Sequence, residues 1–274
     1  MVTVFLVIAV VYFLSPLIWL VISATKSTPD LFSTFGLWFA PNFNLFTNLR
    51  DLFTYNNGIY LRWVGNTLLY AGVSAVVSTL FSAMAGYSLA KYRFPGRDAF
   101  FNIVLGAILV PGTALVLPLY LLLSGVHLTN TAWAVLLPGF VSPFGVYLCR
   151  IYAASSVPDE LLEAARVDGS GEFRTFFTIV ARLMAPALVT VFLFAFVGMW
   201  NNFFLPLVVL SDQNTFPLTV GLQTWNVDTS GGQQRLVISL IVTGSLVSVL
   251  PIMAAFLTLQ RYWTGGLALG GVKG

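Results

Sequence analysis

The sequence predicts an all-α integral membrane protein, and three observations carry that prediction. Hydrophobic residues make up 58% of the chain and charged residues only 8%, against roughly 45–50% and 25% in soluble domains. The charges sit in short clusters, and the intervals between clusters are long enough to cross a bilayer. Among 274 residues there are 24 Phe and three Lys, which leaves too few polar groups to cover a soluble surface and excludes a soluble enzyme. The 23 Gly and 13 Pro follow no fixed period, so a collagen-like or disordered chain is excluded as well. A single Cys (Cys149) allows no intrachain disulfide, and a single His (His127) allows no histidine-rich metal site. The net charge of +3 is too sparse for a nucleic-acid surface.

The spans follow from the charge-free intervals, because a helix crossing the hydrocarbon core needs about 20 apolar residues. Residues 1–25 hold one span. So do the intervals Arg62 to Lys91, Arg182 to Asp212 and Arg235 to Arg261. The longer interval from Asp98 to Arg150 suits two, divided at the polar stretch Gly125-Val126-His127-Leu128-Thr129-Asn130. Six transmembrane helices are therefore predicted, over 3–24, 64–90, 99–123, 131–152, 184–210 and 236–259. The first interval lacks a basic leader and outruns the usual 7–15 apolar residues of a signal peptide, so it reads as a span.

Orientation follows from Lys and Arg in the connections. Those after helices two, four and six carry nine: Lys91, Arg93, Arg97, Arg150, Arg166, Arg174, Arg182, Arg261 and Lys273. The opposite connections carry four, Lys26, Arg50, Arg62 and Arg235. Both termini are expected in the cytoplasm, although Lys26 locally disagrees. The longest outer connection, residues 25–62, is rich in Asn, Phe, Trp and Pro and suits a structure lying along the interface. A second outer connection runs from Ser211 to Gln234. No internal repeat is visible, so a single transmembrane domain over 1–274 is expected.

Several chemistries are closed. No Lys follows a Gly, so there is no phosphate-binding P-loop. A His-Glu-x-x-His metal motif is impossible and Gly-x-Ser-x-Gly is missing. No Asp, Glu, Lys or Arg lies inside a predicted span, whereas ion-coupled carriers usually keep one at membrane depth. No catalytic residue, metal or cofactor is expected, and energy for any transport has to come from elsewhere. Helix two carries small residues at helical spacing (Ala71, Ser74, Ala75, Ser78, Ser82, Gly86), a face for close packing within this chain or against another subunit.

The connection between helices four and five is the most informative stretch. It reads Ser155-Ser156-Val157-Pro158-Asp159-Glu160-Leu161-Leu162-Glu163-Ala164-Ala165-Arg166-Val167-Asp168-Gly169-Ser170. Ser156 can cap a short helix, Pro158 fits its first turn, and Asp159 and Glu160 favour the positive end of its dipole. Gly169 suits the left-handed residue that closes it. A second helix from about Ser170 places Phe173, Phe176, Phe177 and Val180 on one face, either to pack on the chain's own spans or to dock a partner.

Glu163-Ala164-Ala165, three residues, Gly169, nine residues and Ile179 together resemble the EAA loop of ABC-importer permease subunits. Lys91-Tyr92-Arg93-Phe94-Pro95-Gly96-Arg97 is similar to that family's first cytoplasmic loop. The stretch from Phe196 to Leu207 resembles the fifth helix of the carbohydrate branch, and Phe216-Pro217-Leu218-Thr219-Val220-Gly221-Leu222 the outer segment after it. Gln260-Arg261-Tyr262-Trp263-Thr264-Gly265-Gly266-Leu267 through Gly271-Val272-Lys273-Gly274 resembles the ending of the shorter maltose-type sugar permease subunit. One departure stands out. Ala181-Arg182 replace the usual Leu-Pro, so the bend before helix five is expected to be softer or to be set by Pro186 alone.

The resemblance implies a type I importer permease fold in the bacterial cytoplasmic membrane. It implies a coupling loop over about 153–183, with ATPase docking through Glu163, Ala164, Ala165, Asp168, Gly169 and Phe173. The implied partners are a second homologous permease, two ABC ATPase subunits that hydrolyse the ATP, and an extracytoplasmic solute-binding protein. The cargo would be a sugar or oligosaccharide. Trp200, Asn201 and Asn202 supply an aromatic face and amides inside an apolar span, the groups that bind sugars without charge. They are candidates for the passage, with hydrogen bonding between helices as the alternative. A permease for another solute, such as a glycerol phosphodiester or a peptide, is the near rival. A membrane receptor or scaffold that moves nothing is the distant one.

Overall fold

A computed structural model describes residues 2–228 and 234–260, and the described residues are helical without strands. The resembling tail from Arg261 onward lies outside them. Four helical runs are long and apolar enough to cross a membrane, or six if each of two bent pairs counts as one span. The first span is α1 (Val2–Ala24), followed by short helices α2 (Thr28–Ser33) and α3 (Leu45–Thr54). The second is α4 (Ile59–Lys91), which starts five residues before the predicted boundary.

Three predicted spans are interrupted, each beside a proline. The third consists of α5 (Arg97–Ile108) and α6 (Val116–Gly125), with a bend of 99° across a break at Leu109 to Pro111. Pro111 has no N–H for the helical ladder and pushes Val110 out of helical geometry. The fourth divides into α7 (Ala132–Gly139) and α8 (Pro143–Ser156), where Ser142 accepts from the Gly145 N–H and Pro143 opens the new helix. The stretch expected to couple follows as α9 (Asp159–Val167), α10 (Glu172–Thr175), a π-helical turn over Phe176–Val180, and α11 (Ala181–Leu183). The predicted fifth span divides into α12 (Ala185–Trp200), a non-helical link, and α13 (Phe204–Val209), and the second bent pair joins Glu172–Leu183 to Ala185–Trp200. The chain then forms α14 (Leu218–Asp228) and α15 (Gln234–Leu259), the sixth span.

Two compact units emerge. The first is Met1–Asn66 with Asp212–Met253. Its α1 is exposed along most of its length and buried only at Ile22 to Ala24. Lys26 is fully buried beyond it, with its ammonium donating to the Phe35 carbonyl at 2.8 Å. Asn48 donates to the carbonyls of Ala24 and Lys26. Lys26, the residue that locally contradicts the charge bias, is thus committed to the fold of this segment. The connection from Ser211 onward is no open loop: α14 buries Leu218, Val220 and Trp225. Trp225 packs against Tyr55, Tyr60 and Trp63. A side chain on Gly221 would strike the Trp63 indole, so only glycine permits this approach.

The second unit is Thr67–Ser211 with the chain from Ala254 onward. Here the small face of α4 meets α7 and α8. A Cβ on Gly139 would lie 2.6 Å from the Ser74 hydroxyl, and one on Gly145 would strike that of Ser82. On Gly86 it would lie 2.5 Å from Cys149 Cβ. The face is therefore used within the chain. Arg150, assigned by sequence to a span end, lies inside α8; its guanidinium sits 3.5 Å from the Phe101 ring centre and 4.0 Å from the Asp98 carboxylate.

Candidate coupling and passage sites

The turn between α8 and α12 is built by backbone rules that the sequence displays. Val157 precedes proline and is extended (φ −110°, ψ 103°), which ends α8. Pro158 itself occupies the position before the first helical residue of α9. The expected cap, Ser156, is instead the last residue of α8, because the pre-proline restriction places the break one residue later. At the other end Gly169 adopts φ +76°. The Ser170 N–H donates to the Ala165 carbonyl and the Gly169 N–H to that of Arg166. These two bonds form the Schellman closure, which uses a left-handed residue at Gly169.

Capping fixes which side chains face outward. Leu162 and Ala165 are buried, while Glu163, Ala164 and Asp168 are exposed. Phe173 is 72% exposed and Val167 88%. The expectation of one aromatic face is corrected: the π-helical turn over Phe176–Val180 splits it. Phe176 and Val180 enter a core with Tyr87, Cys149, Ala153, Val157 and Met184. Phe173 and Phe177 stay exposed, with Phe177 edge to face against Phe176 at the margin of that core. A cavity of about 400 Å³ beside them is lined by Met84, Tyr87, Tyr92, Phe94, Phe173 and Phe176. The bend that follows measures 84° between Leu183 and Ala185, with Pro186 in the first turn of α12; it is present although Ala181-Arg182 stand where the family has Leu-Pro.

Sequence reasoning passed over the ionic groups around this turn. Lys91 donates to Asp159 at 2.7 Å, and this hydrogen bond, with the lysine charge, holds the Asp159 carboxyl below its ordinary range. Glu172 accepts from the Tyr92 hydroxyl and from Arg166 Nε at 3.1 Å. Burial and then the bond to Glu172 push the Tyr92 hydroxyl up. The Glu172 hydrogen bond and charge push the Arg166 guanidinium up. No local spacing announces the Tyr92 and Glu172 pair, which stand 80 residues apart in the chain.

The second candidate group occupies a different setting from the one predicted. Trp200, Asn201 and Asn202 lie within the fifth span not on a continuous helix but at the break between α12 and α13. Pro206 cannot donate to the Asn202 carbonyl, which stops the helix there. Trp200 is buried and packs on Phe196, so its ring face is covered. Asn201 is exposed and donates to the Val197 carbonyl of its own helix. Asn202 is half-buried with its amide 3.7 Å from the Met199 sulfur. Nearby, Asn130 (φ +59°) donates its N–H to the Val209 carbonyl and accepts from the Ser211 N–H.

A bacterial ABC transporter involved in the import of the acidic polysaccharide alginate has this fold in a crystal structure. The match has a TM-score of 0.82 over 95% of this chain and 94% of that one, at 23% identity. Residues 78–263 match the binding-protein-dependent transport system inner membrane components, and the chain belongs to that family. It is 38% identical to the arabinooligosaccharides transport system permease protein AraQ of Halalkalibacterium halodurans, over 94% of this chain and 91% of that protein. It is also 30% identical to the lactose transport system permease protein LacG of Rhizobium radiobacter, over 94% and 90%.

Proposed function

We propose that this chain is one membrane-spanning half of an ATP-driven importer for a neutral sugar or oligosaccharide. The likeness to AraQ along nearly the whole chain supports that reading most. Charge supports neutrality of the cargo, because no Lys or Arg lies in the interior of a predicted span, and Arg150 at a span end is engaged by Phe101 and Asp98. A second permease, two ATPase subunits and a solute-binding protein complete the machine. The chain forms a single functional domain and catalyses nothing itself; closure of the ATPases reaches it through Glu163, Ala164, Asp168, Gly169 and Phe173, with the buried Ala165 as packing beneath them. Asn201 and Asn202 line the passage at the helix break, with Trp200 as the packed support behind them. Reconstitution with those partners and a labelled arabinooligosaccharide tests the function. ATP-dependent accumulation is expected. Accumulation of a glycerol phosphodiester or a peptide instead, or of nothing, overturns it.

Both termini and the α9 turn face the cytoplasm in this reading. Single cysteines at Asn42 and Val167, both exposed, in a Cys149→Ser background test it on intact cells. An impermeant thiol reagent should label only the first. Labelling of the second reverses the orientation.

A further inference from the structure

The strongest unassigned arrangement in the molecule ties α9 to the end of α4. Lys91 is the last residue of α4 and Tyr92 the next, and these two neighbours reach opposite ends of α9. Lys91 meets Asp159, the first residue of α9, at 2.7 Å. The Lys91 side chain is only 9% exposed whereas that of Asp159 is 72% exposed, so the lysine is a fixed post and the carboxylate the part that is held. At the other end Glu172, just past the Gly169 turn, gathers the Tyr92 hydroxyl and Arg166 of the last turn of α9. The Arg166 guanidinium also lies 5.9 Å from the Tyr92 ring centre. Tyr92 is itself braced: its ring meets the buried Tyr87 edge to face, and Tyr87 packs on Phe176.

Packing alone would leave α9 loosely held. It has nine residues, of which Leu162 and Ala165 are buried, and so short a helix is marginal without tertiary support. Exposed ion pairs add little to global stability, so losing these ties leaves the fold intact and changes where α9 sits. We propose that Lys91, Tyr92, Asp159, Arg166 and Glu172 are positioning residues that fasten both ends of α9 to α4, so that any displacement of α9 carries the end of α4 with it as one body. This rests on the reading of α9 as the ATPase contact.

The test uses the assembled transporter in lipid nanodiscs, with spin labels at Phe81→Cys on α4 and Glu160→Cys on α9 in a Cys149→Ser background. Both sites are exposed. Pulsed electron double resonance gives the distance without nucleotide and after vanadate trapping with ATP. One narrow distance, the same in both states, is expected. In Tyr92→Phe combined with Glu172→Gln the ATPase should still co-purify while the distance broadens or shifts between states. Lys91→Glu should behave likewise, and adding Asp159→Lys should restore the narrow distance. A distance that changes between states in the parent, variants indistinguishable from the parent, or loss of the ATPase from the Tyr92→Phe and Glu172→Gln variant each overturns the proposal. Failure of the parent transporter to retain an ATPase would instead strike the underlying reading of α9.

Discussion

In the unit built from Met1–Asn66 and Asp212–Met253, glycines receive aromatic rings; in the unit built from Thr67–Ser211, they receive the slimmer side chains of serine, cysteine and methionine. Gly221 accommodates Trp63 and Gly244 accommodates Tyr60, whereas Gly139 accommodates Met199 and Ser74, Gly145 accommodates Ser82 and Gly86 accommodates Cys149. The polar atoms of these rings and those of the α4 serines are treated differently as well. Trp63 Nε1 donates to the Gln213 carbonyl at 2.8 Å and the Tyr60 hydroxyl to the Gly244 carbonyl at 2.7 Å. The Ser74, Ser78 and Ser82 hydroxyls are buried without a hydrogen-bond partner. In the aromatic unit, then, the polar handle helps to fix each ring, while along the α4 seam the serine acts by its small size. Between helices in lipid, close packing supplies the attraction that the hydrophobic effect cannot.

That comparison can be broken in stages. The largest effect is expected for Gly221→Leu, since the buried Trp63 indole has no free space to enter; the detergent-solubilised protein should fail to give a monodisperse peak. Gly145→Val should cost about 1–3 kcal/mol, the usual range for overpacking, read as a lowered unfolding midpoint. Tyr60→Phe keeps the ring and loses one bond, so about 1 kcal/mol is expected by the same measurement. Ser78→Ala removes an unpaired buried hydroxyl, whose desolvation is a cost, and should leave the midpoint unchanged or slightly raised. If Ser78→Ala proves as damaging as Gly145→Val, the seam is held by polarity and the contrast between the units collapses.

The sequence announced those features that rest on local backbone rules. Gly169 stands where a helix must close, and it closes there with positive φ. The apolar intervals likewise marked where spans lie, because bilayer thickness sets their length. Hydropathy counts residues without regard to the hydrogen-bond ladder, so the interruptions beside Pro111, Pro143 and Pro206 stayed hidden although each proline was visible. For the same reason Trp200, Asn201 and Asn202 read as mid-span residues rather than as a helix end. Contacts between distant residues had no local signal at all: Trp63 with Gly221, or Tyr92 with Glu172, depend on which helices the fold brings together.

Gly169 offers the most direct test of coupling through the α9 turn. A Cβ there would meet no atom within 4 Å, yet φ is +76°, so a substitution strains the backbone without a clash. A β-branched residue is the least tolerant of that geometry, whereas asparagine accepts it at small cost. The measurement is ATP-dependent arabinooligosaccharide uptake by the reconstituted transporter carrying Gly169→Val or Gly169→Asn, with membrane levels matched. The account predicts that valine abolishes most uptake and asparagine preserves it. Normal uptake by the valine variant would contradict the assignment of this turn as the coupling element.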